Sequence, residues 1–242
     1  MNSKKSGVIL GYIAMVVSNV SAFFLTPLML VVFGTSEFGV YKLVLSFTSY
    51  FALADLGLSN AIVRYVSEYR IYKNKKSEGK FIGLVMLIDL SMGAFLLACG
   101  VAFYYYIPTI FNSSFSPSEI DLLKNMFFLV VASGILTLFV NLAGGILKSY
   151  EKFAILKTIN IVKTLVRVGV ITILLLLDFH AFEIVLIDTL LMLTVFLYTS
   201  YYCIKQLNVR PALRNIDLNY REKGQMITLA KKLIHYSRNG HS

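Results

Sequence analysis

One pattern repeats along this chain and few folds accommodate it: runs of twenty or more mostly apolar residues, separated by polar breaks only a few residues long. A bilayer with a hydrocarbon core of about 30 Å asks for spans of this length. Inside it every backbone N–H and C=O has to find a partner within the protein, which leaves helices as the simplest solution. The runs fall at 8–33, 38–60, 81–106, 122–147, 154–177 and 184–204, and predict an all-α, polytopic membrane bundle of about six transmembrane helices in a six-helix lobe at 1–204. Residues 205–242 form a polar, basic tail. Composition agrees, since 15% of residues are charged and mean hydropathy is +0.72, whereas a soluble domain carries about 25% charge. The first run is too long for a signal-peptide core and lacks a small-residue cleavage site, so it is expected to stay in the membrane.

The net charge of +10 does not indicate nucleic acid, because the basic residues alternate with apolar spans instead of covering one soluble face. They indicate topology. With the amino terminus inside, all of the 23 Lys and Arg residues except Lys42, Lys124, Lys163 and Arg167 fall on the cytoplasmic side or in the tail. The positive-inside bias therefore places both termini in the cytoplasm. Tyrosines at 104–106 and at 198, 201 and 202 mark headgroup depth at the ends of spans three and six.

Soluble catalysis and metal binding find no support in the residues. Cys99 and Cys203 lie in apolar runs and read as small core hydrophobes. His180 stands in a short turn, and His235 and His241 lie in the tail without neighbouring ligands. No Gly-rich phosphate loop precedes a Lys and a Ser or Thr, so the chain is neither an ATPase nor an enzyme by this reading, and no cofactor is expected.

The residues that depart from a lipid-facing pattern lie in span five. Asn160, Lys163 and Arg167 are spaced three and four apart and share one helix face. At about 1.5 Å per residue from Ala154, Lys163 lies about 13 Å and Arg167 about 20 Å into the span. Cations at that depth cost about 2.5–3.5 kcal/mol on insertion scales, so they belong to a polar cavity or to an ion pair. The cavity reading makes them the wall of a site for an anionic substrate; the pairing reading gives them Asp55 or Asp89 as partners. Asp89 is also open to a coupling role, and Asp188 reads as structural. Pro27 breaks the hydrogen-bond ladder inside the first span and is expected to act as a hinge. Gly144 and Gly145 read as positions of close helix approach.

Further residues carry a family resemblance: Leu25-Thr26-Pro27-Leu28, Phe38-Gly39-Val40-Tyr41, Tyr50-Phe51-Ala52-Leu53-Ala54-Asp55-Leu56-Gly57-Leu58, Ala61, and Arg64-Tyr65-Val66-Ser67-Glu68-Tyr69. In order and spacing they resemble the amino-terminal region of polysaccharide and O-antigen flippases, from the superfamily that also contains multidrug exporters and lipid II flippases. The resemblance implies two six-helix lobes around a central cavity, of which this chain supplies the first and a linker, as a truncated gene product or as half of a dimer. It implies translocation of undecaprenyl-pyrophosphate-linked oligosaccharides across the bacterial inner membrane, for O-antigen, lipopolysaccharide or capsule assembly. Membrane lipids, the lipid-linked oligosaccharide, a second copy or missing second lobe, and the polysaccharide polymerase machinery are the implied partners. Lys163 and Arg167 would attract the pyrophosphate, and Arg64 would gather it at the cytoplasmic mouth. The rival expectations are export of drugs or other cations, and a non-transporting membrane scaffold.

Overall fold

The computed structural model describes residues 3–53, 57–209 and 211–212. Six helices follow one another: α1 (Ser3–Leu53), α2 (Leu58–Ile71), α3 (Lys75–Phe111), α4 (Pro117–Ser149), α5 (Phe153–Leu176) and α6 (Ala181–Tyr201), the last continued by a π-helical turn at Tyr202–Gln206. No strand occurs among the described residues. Five of these helices are long and apolar enough to cross a membrane, and the chain is a multi-pass membrane protein.

Helix α1 is two helices joined at Gly34, whose φ of 71° and ψ of 175° are accessible to almost no other residue. Nothing crowds the position where a Cβ would stand, so the requirement is conformational: a side chain there would cost about 1–3 kcal/mol in backbone strain. Contacts with α5 show how sharply the chain turns. The Lys157 side chain lies 3.6 Å from the Cβ position of Gly11, while Arg167 bonds to Tyr41. A straight helix would separate Gly11 from Tyr41 by about 45 Å, but Lys157 and Arg167 are about 15 Å apart along α5. The chain therefore folds back at Gly34. Pro27 sits inside the first segment with helical dihedrals on both sides, so the reversal belongs to Gly34, at the polar break between the first two apolar runs. A proline removes one hydrogen bond, whereas the glycine's positive φ redirects the whole chain.

The returning segment then runs alongside α4. Phe47 packs on Phe127 with ring centroids 5.2 Å apart, Phe51 fills the notch at Gly134, and Ile62 and the Ser59 carbonyl close on Gly145. A Cβ on Gly145 would stand 3.0 Å from both Ile62 Cβ and Ser59 O, so the glycine lets α2 approach α4 closely there. The second crossing is thus assembled from the latter part of α1 and from α2. It is not one helix running to residue 60: α1 ends at Leu53, and α2 begins after Gly57, which takes a left-handed φ of 77°.

Helix α4 is the central element and packs against α1, α2, α3 and α6. Its start is fixed by a capping box in which Ser116 and Glu119 satisfy each other's backbone N–H groups. One apolar cluster joins α1, α3, α4, α5 and α6, and a second joins α2, α3, α4 and the π turn. The outer surface remains apolar, with Phe23, Val31 and Phe95 pointing away from the bundle, as lipid contact allows. Cys203 is buried in the second cluster, but Cys99 is exposed on this outer face and is not a core residue, because its side of α3 meets no other helix.

The end of the bundle that carries the basic turns is tied together by side chains. Arg70 donates to the carbonyl of Ser149, one of the last of α4, and its guanidinium lies 4.0 Å from the Tyr150 ring centroid. The Tyr150 hydroxyl donates to buried Glu78 at 2.5 Å, and Lys75 reaches the Tyr150 hydroxyl at 2.6 Å and Glu78 at 3.2 Å. Burial and, after it, the hydrogen bond to Glu78 push the Tyr150 phenol above its ordinary pKa. At the opposite end Glu37, three residues beyond the Gly34 turn, accepts the Ala181 N–H at 2.7 Å and contacts His180 Nδ1 at 3.2 Å, so its carboxylate caps the positive terminus of α6.

Candidate functional site

Helices α5 and α6 form a hairpin across the short turn 177–180, and this register sets the polar chemistry of the bundle. Arg167 precedes the end of α5 by nine residues and Asp188 follows the start of α6 by seven, so the two stand at nearly the same depth. The Arg167 guanidinium donates to both carboxylate oxygens of Asp188, Nε to Oδ1 at 2.5 Å and Nη2 to Oδ2 at 2.7 Å. The planar fork of arginine matches a carboxylate in this two-bond geometry, and a lysine would not. Nη2 also lies 3.4 Å from the hydroxyl of Tyr41, which is only 2% exposed in the returning segment of α1. Three helices are thereby joined at one guanidinium. The pair is mostly covered, with side-chain exposures of 29% and 25%.

The partner of Arg167 is therefore Asp188, which corrects the pairing expected with Asp55 or Asp89. Asp89 is buried on α3, and α3 and α5 do not pack against each other among the described residues. Asp55 lies outside the described residues.

Lys163, one turn from Arg167, has a different setting. Its ammonium lies 3.5 Å from Met192 Sδ, a weak acceptor that leaves most of a charged donor's capacity unused. It borders a groove of about 540 Å³ between α5 and α6, walled by Ile159, Val162, Val166, Leu191 and Tyr198. Among the described residues Lys163 is the sole charged one lining it. Asn160 is exposed on the same face, and its backbone carbonyl accepts the Thr164 hydroxyl at 2.9 Å. Arg64 is remote from both, exposed on α2 at the basic end, with its guanidinium 5.6 Å from the Tyr65 ring centroid. The site thus separates the two deep cations into one that is neutralised and one that faces a groove. Tyr41 escaped the sequence reading as a site residue, although it stands in the Phe38–Tyr41 stretch that carries the family resemblance. Equal depth across the α5–α6 turn was the signal for the Asp188 pairing.

The fold recurs in two solved structures. The chain superposes on a transporter of the MOP superfamily from Pyrococcus furiosus Vc1 (DSM3638), reported with a binding pocket of reversed polarity, with a TM-score of 0.72 at 14% identity over 96% of this chain and 52% of that one. It superposes on a MATE protein solved in complex with MaD3S with a TM-score of 0.74 at 16% identity over 96% of this chain and 53% of the other. The chain spans about half the length of these structures. No match is found among curated protein sequences. The sequence profile described as polysaccharide biosynthesis protein matches residues 5–228, and the chain belongs to that family.

Proposed function

We propose that this chain forms one lobe of a flippase that carries undecaprenyl-pyrophosphate-linked oligosaccharides across the bacterial inner membrane for O-antigen, lipopolysaccharide or capsule assembly. The observation that carries this reading is Lys163, a single cation on an otherwise apolar groove at membrane depth. Such a groove suits a ligand with a phosphate at one end and a long hydrocarbon at the other. Family membership supports the polysaccharide pathway, and the half-length match supports a partner lobe, either a further part of the protein or a second copy, closing the polar face. Arg167 in this reading holds the helices that shape the groove, with Asp188 taking its Nε donor and one of its Nη2 donors. Arg64, Lys73, Lys75 and Lys148 occupy the basic end, which we assign to the cytoplasm; Arg64 there meets the anionic headgroup before it enters. Asp55 and Asp89 remain candidates for ion coupling.

The fold likeness to a MATE protein serves export of organic cations equally well, and the charge of Lys163 is what separates the two. A fixed ammonium in an apolar wall attracts a pyrophosphate and repels a cationic drug. The purified chain is therefore expected to bind a fluorescent polyprenyl-pyrophosphate saccharide and to ignore a cationic dye such as ethidium. Lys163→Met should weaken the first by about tenfold or more, since a hydrogen bond to a charged group contributes about 1.5–3 kcal/mol. Dye binding that competes with the lipid, or that improves in Lys163→Met, would favour the exporter. If neither ligand binds, the non-transporting scaffold gains.

Orientation is tested separately. A cysteine at Asn112 is expected to react with an impermeant thiol reagent added outside intact cells, and one at Asn74 is expected to react only after lysis. The reverse labelling would place the basic end outside and Arg64 at the wrong leaflet for an entry mouth.

A further inference from the structure

A second groove lies between α3 and α4, with Phe182 of α6 at its edge, and shares no lining residue with the Lys163 groove. Its volume is about 480 Å³, and its walls include Leu97, Gly100, Val101, Phe128 and Val131. Within the range of about 300–1,000 Å³ typical of ligand sites, it is almost wholly apolar. Among the described residues Lys124 is the sole charged one on it, with Tyr104, Tyr105 and Asn125 nearby. The Lys124 ammonium stands 5.5 Å from the Tyr104 ring centroid, and among the described residues no carboxylate pairs with it.

Depth gives this arrangement its meaning. Helix α3 has 37 residues and α4 has 33, lengths of about 55 and 50 Å against a hydrocarbon thickness of about 30 Å. Each therefore projects about 10 Å beyond the hydrocarbon at either end. Tyr104 lies seven residues before the end of α3 and Lys124 seven residues after the start of α4, again about 10 Å. The ammonium and its aromatic neighbours thus lie at the boundary between headgroups and acyl chains. From there the groove descends past Val101 and Gly100 to Leu97, into the hydrocarbon.

We infer that this groove is a binding site for an anionic phospholipid, with the phosphate on Lys124 and one acyl chain in the channel along Val101 and Leu97. Tail contacts alone would not select a lipid, because any tail is as apolar as the groove. Selection comes from Lys124, and one basic residue at a membrane surface corresponds to about a fivefold preference for an anionic headgroup. The site is independent of the transport reading and would stand if that reading fell.

The chain contains no tryptophan, so a single introduced one reports from one place. Phe128→Trp puts that reporter on the groove wall, at a position 62% exposed in the protein. In reconstituted vesicles, quenching by dibrominated phosphatidylglycerol is expected to exceed quenching by dibrominated phosphatidylcholine about fivefold at equal mole fraction. Adding Lys124→Ala should bring the two lipids level. Basic residues at the far end of the bundle cannot produce this signal, as bromine quenches only at short range, and Lys76→Ala should leave it unchanged. Equal quenching by both lipids with Lys124 present, or a preference that survives Lys124→Ala, would overturn the site. Loss of the preference in excess inorganic phosphate at constant ionic strength would identify a free-anion site and overturn the lipid assignment. Leu97→Trp reports from the deeper wall and decides the matter if Phe128→Trp does not fold.

Discussion

Arg167→Ala is expected to destabilise the folded chain by about 3 kcal/mol, roughly a hundredfold in the folding equilibrium, and to deplete it from the membrane. Removing one member of a buried pair costs about 3–5 kcal/mol because the other charge is left in a poorly solvating site. The partial exposure of Arg167 and Asp188 puts this pair at the low end of that range. The variant also cuts the tie from α5 to Tyr41 in the returning segment of α1. Asp188→Ala is expected to act in the same direction. The double replacement Arg167→Met with Asp188→Leu removes both desolvation penalties together, and should recover most of the lost stability. Unfolding of the purified chain in mixed micelles, followed by helical circular dichroism, measures each variant. Wild-type stability in Arg167→Ala, or no recovery in the double variant, would show that the pair does not hold the bundle together.

Lys163 is expected to behave in the opposite way, with a large functional effect and a small structural one. Its ammonium has Met192 Sδ as its hydrogen-bond partner, so Lys163→Met removes little binding energy from the fold and keeps the side-chain volume. The same change removes the charge that the proposed site offers to a phosphate, and a charge-assisted hydrogen bond of about 1.5–3 kcal/mol corresponds to a loss of about ten- to a hundredfold. In a two-lobe relative with the same residues at these positions, surface polysaccharide should fall by at least tenfold while protein in the membrane stays within about twofold of wild type. Lys163→Arg should retain partial export, since the charge survives with a different reach. Full export by Lys163→Met at normal abundance would remove the anion site from this groove. Read together, the two residues make the design of the experiment decisive, because a purely structural Lys163 would lower abundance as Arg167→Ala does.

What the sequence by itself determined are the properties that depend on neighbours along the chain. Apolar runs long enough for a bilayer, the polar interruption at 34–37, the basic turns, and the shared face of Asn160, Lys163 and Arg167 are all local. A helix converts local order into geometry at a fixed rise and angle, so they could be read directly. Glycine's backbone preference is local too, and Gly34 stands in that interruption, but where the two arms come to rest depended on α5 being there to receive both. The break before α2 likewise needed α4 beside it, since only the fit of Ser59 and Ile62 onto Gly145 shows that α2 completes the crossing begun by α1. Tertiary structure chose Asp188 for Arg167. Equal distance from the α5–α6 turn pointed to it, but Asp55 and Asp89 are embedded carboxylates too, and a guanidinium reaches only a few ångströms, so the helix packed against α5 at the right height decided the partner. With that choice Arg167 was committed to holding the bundle, and Lys163 was left facing the groove.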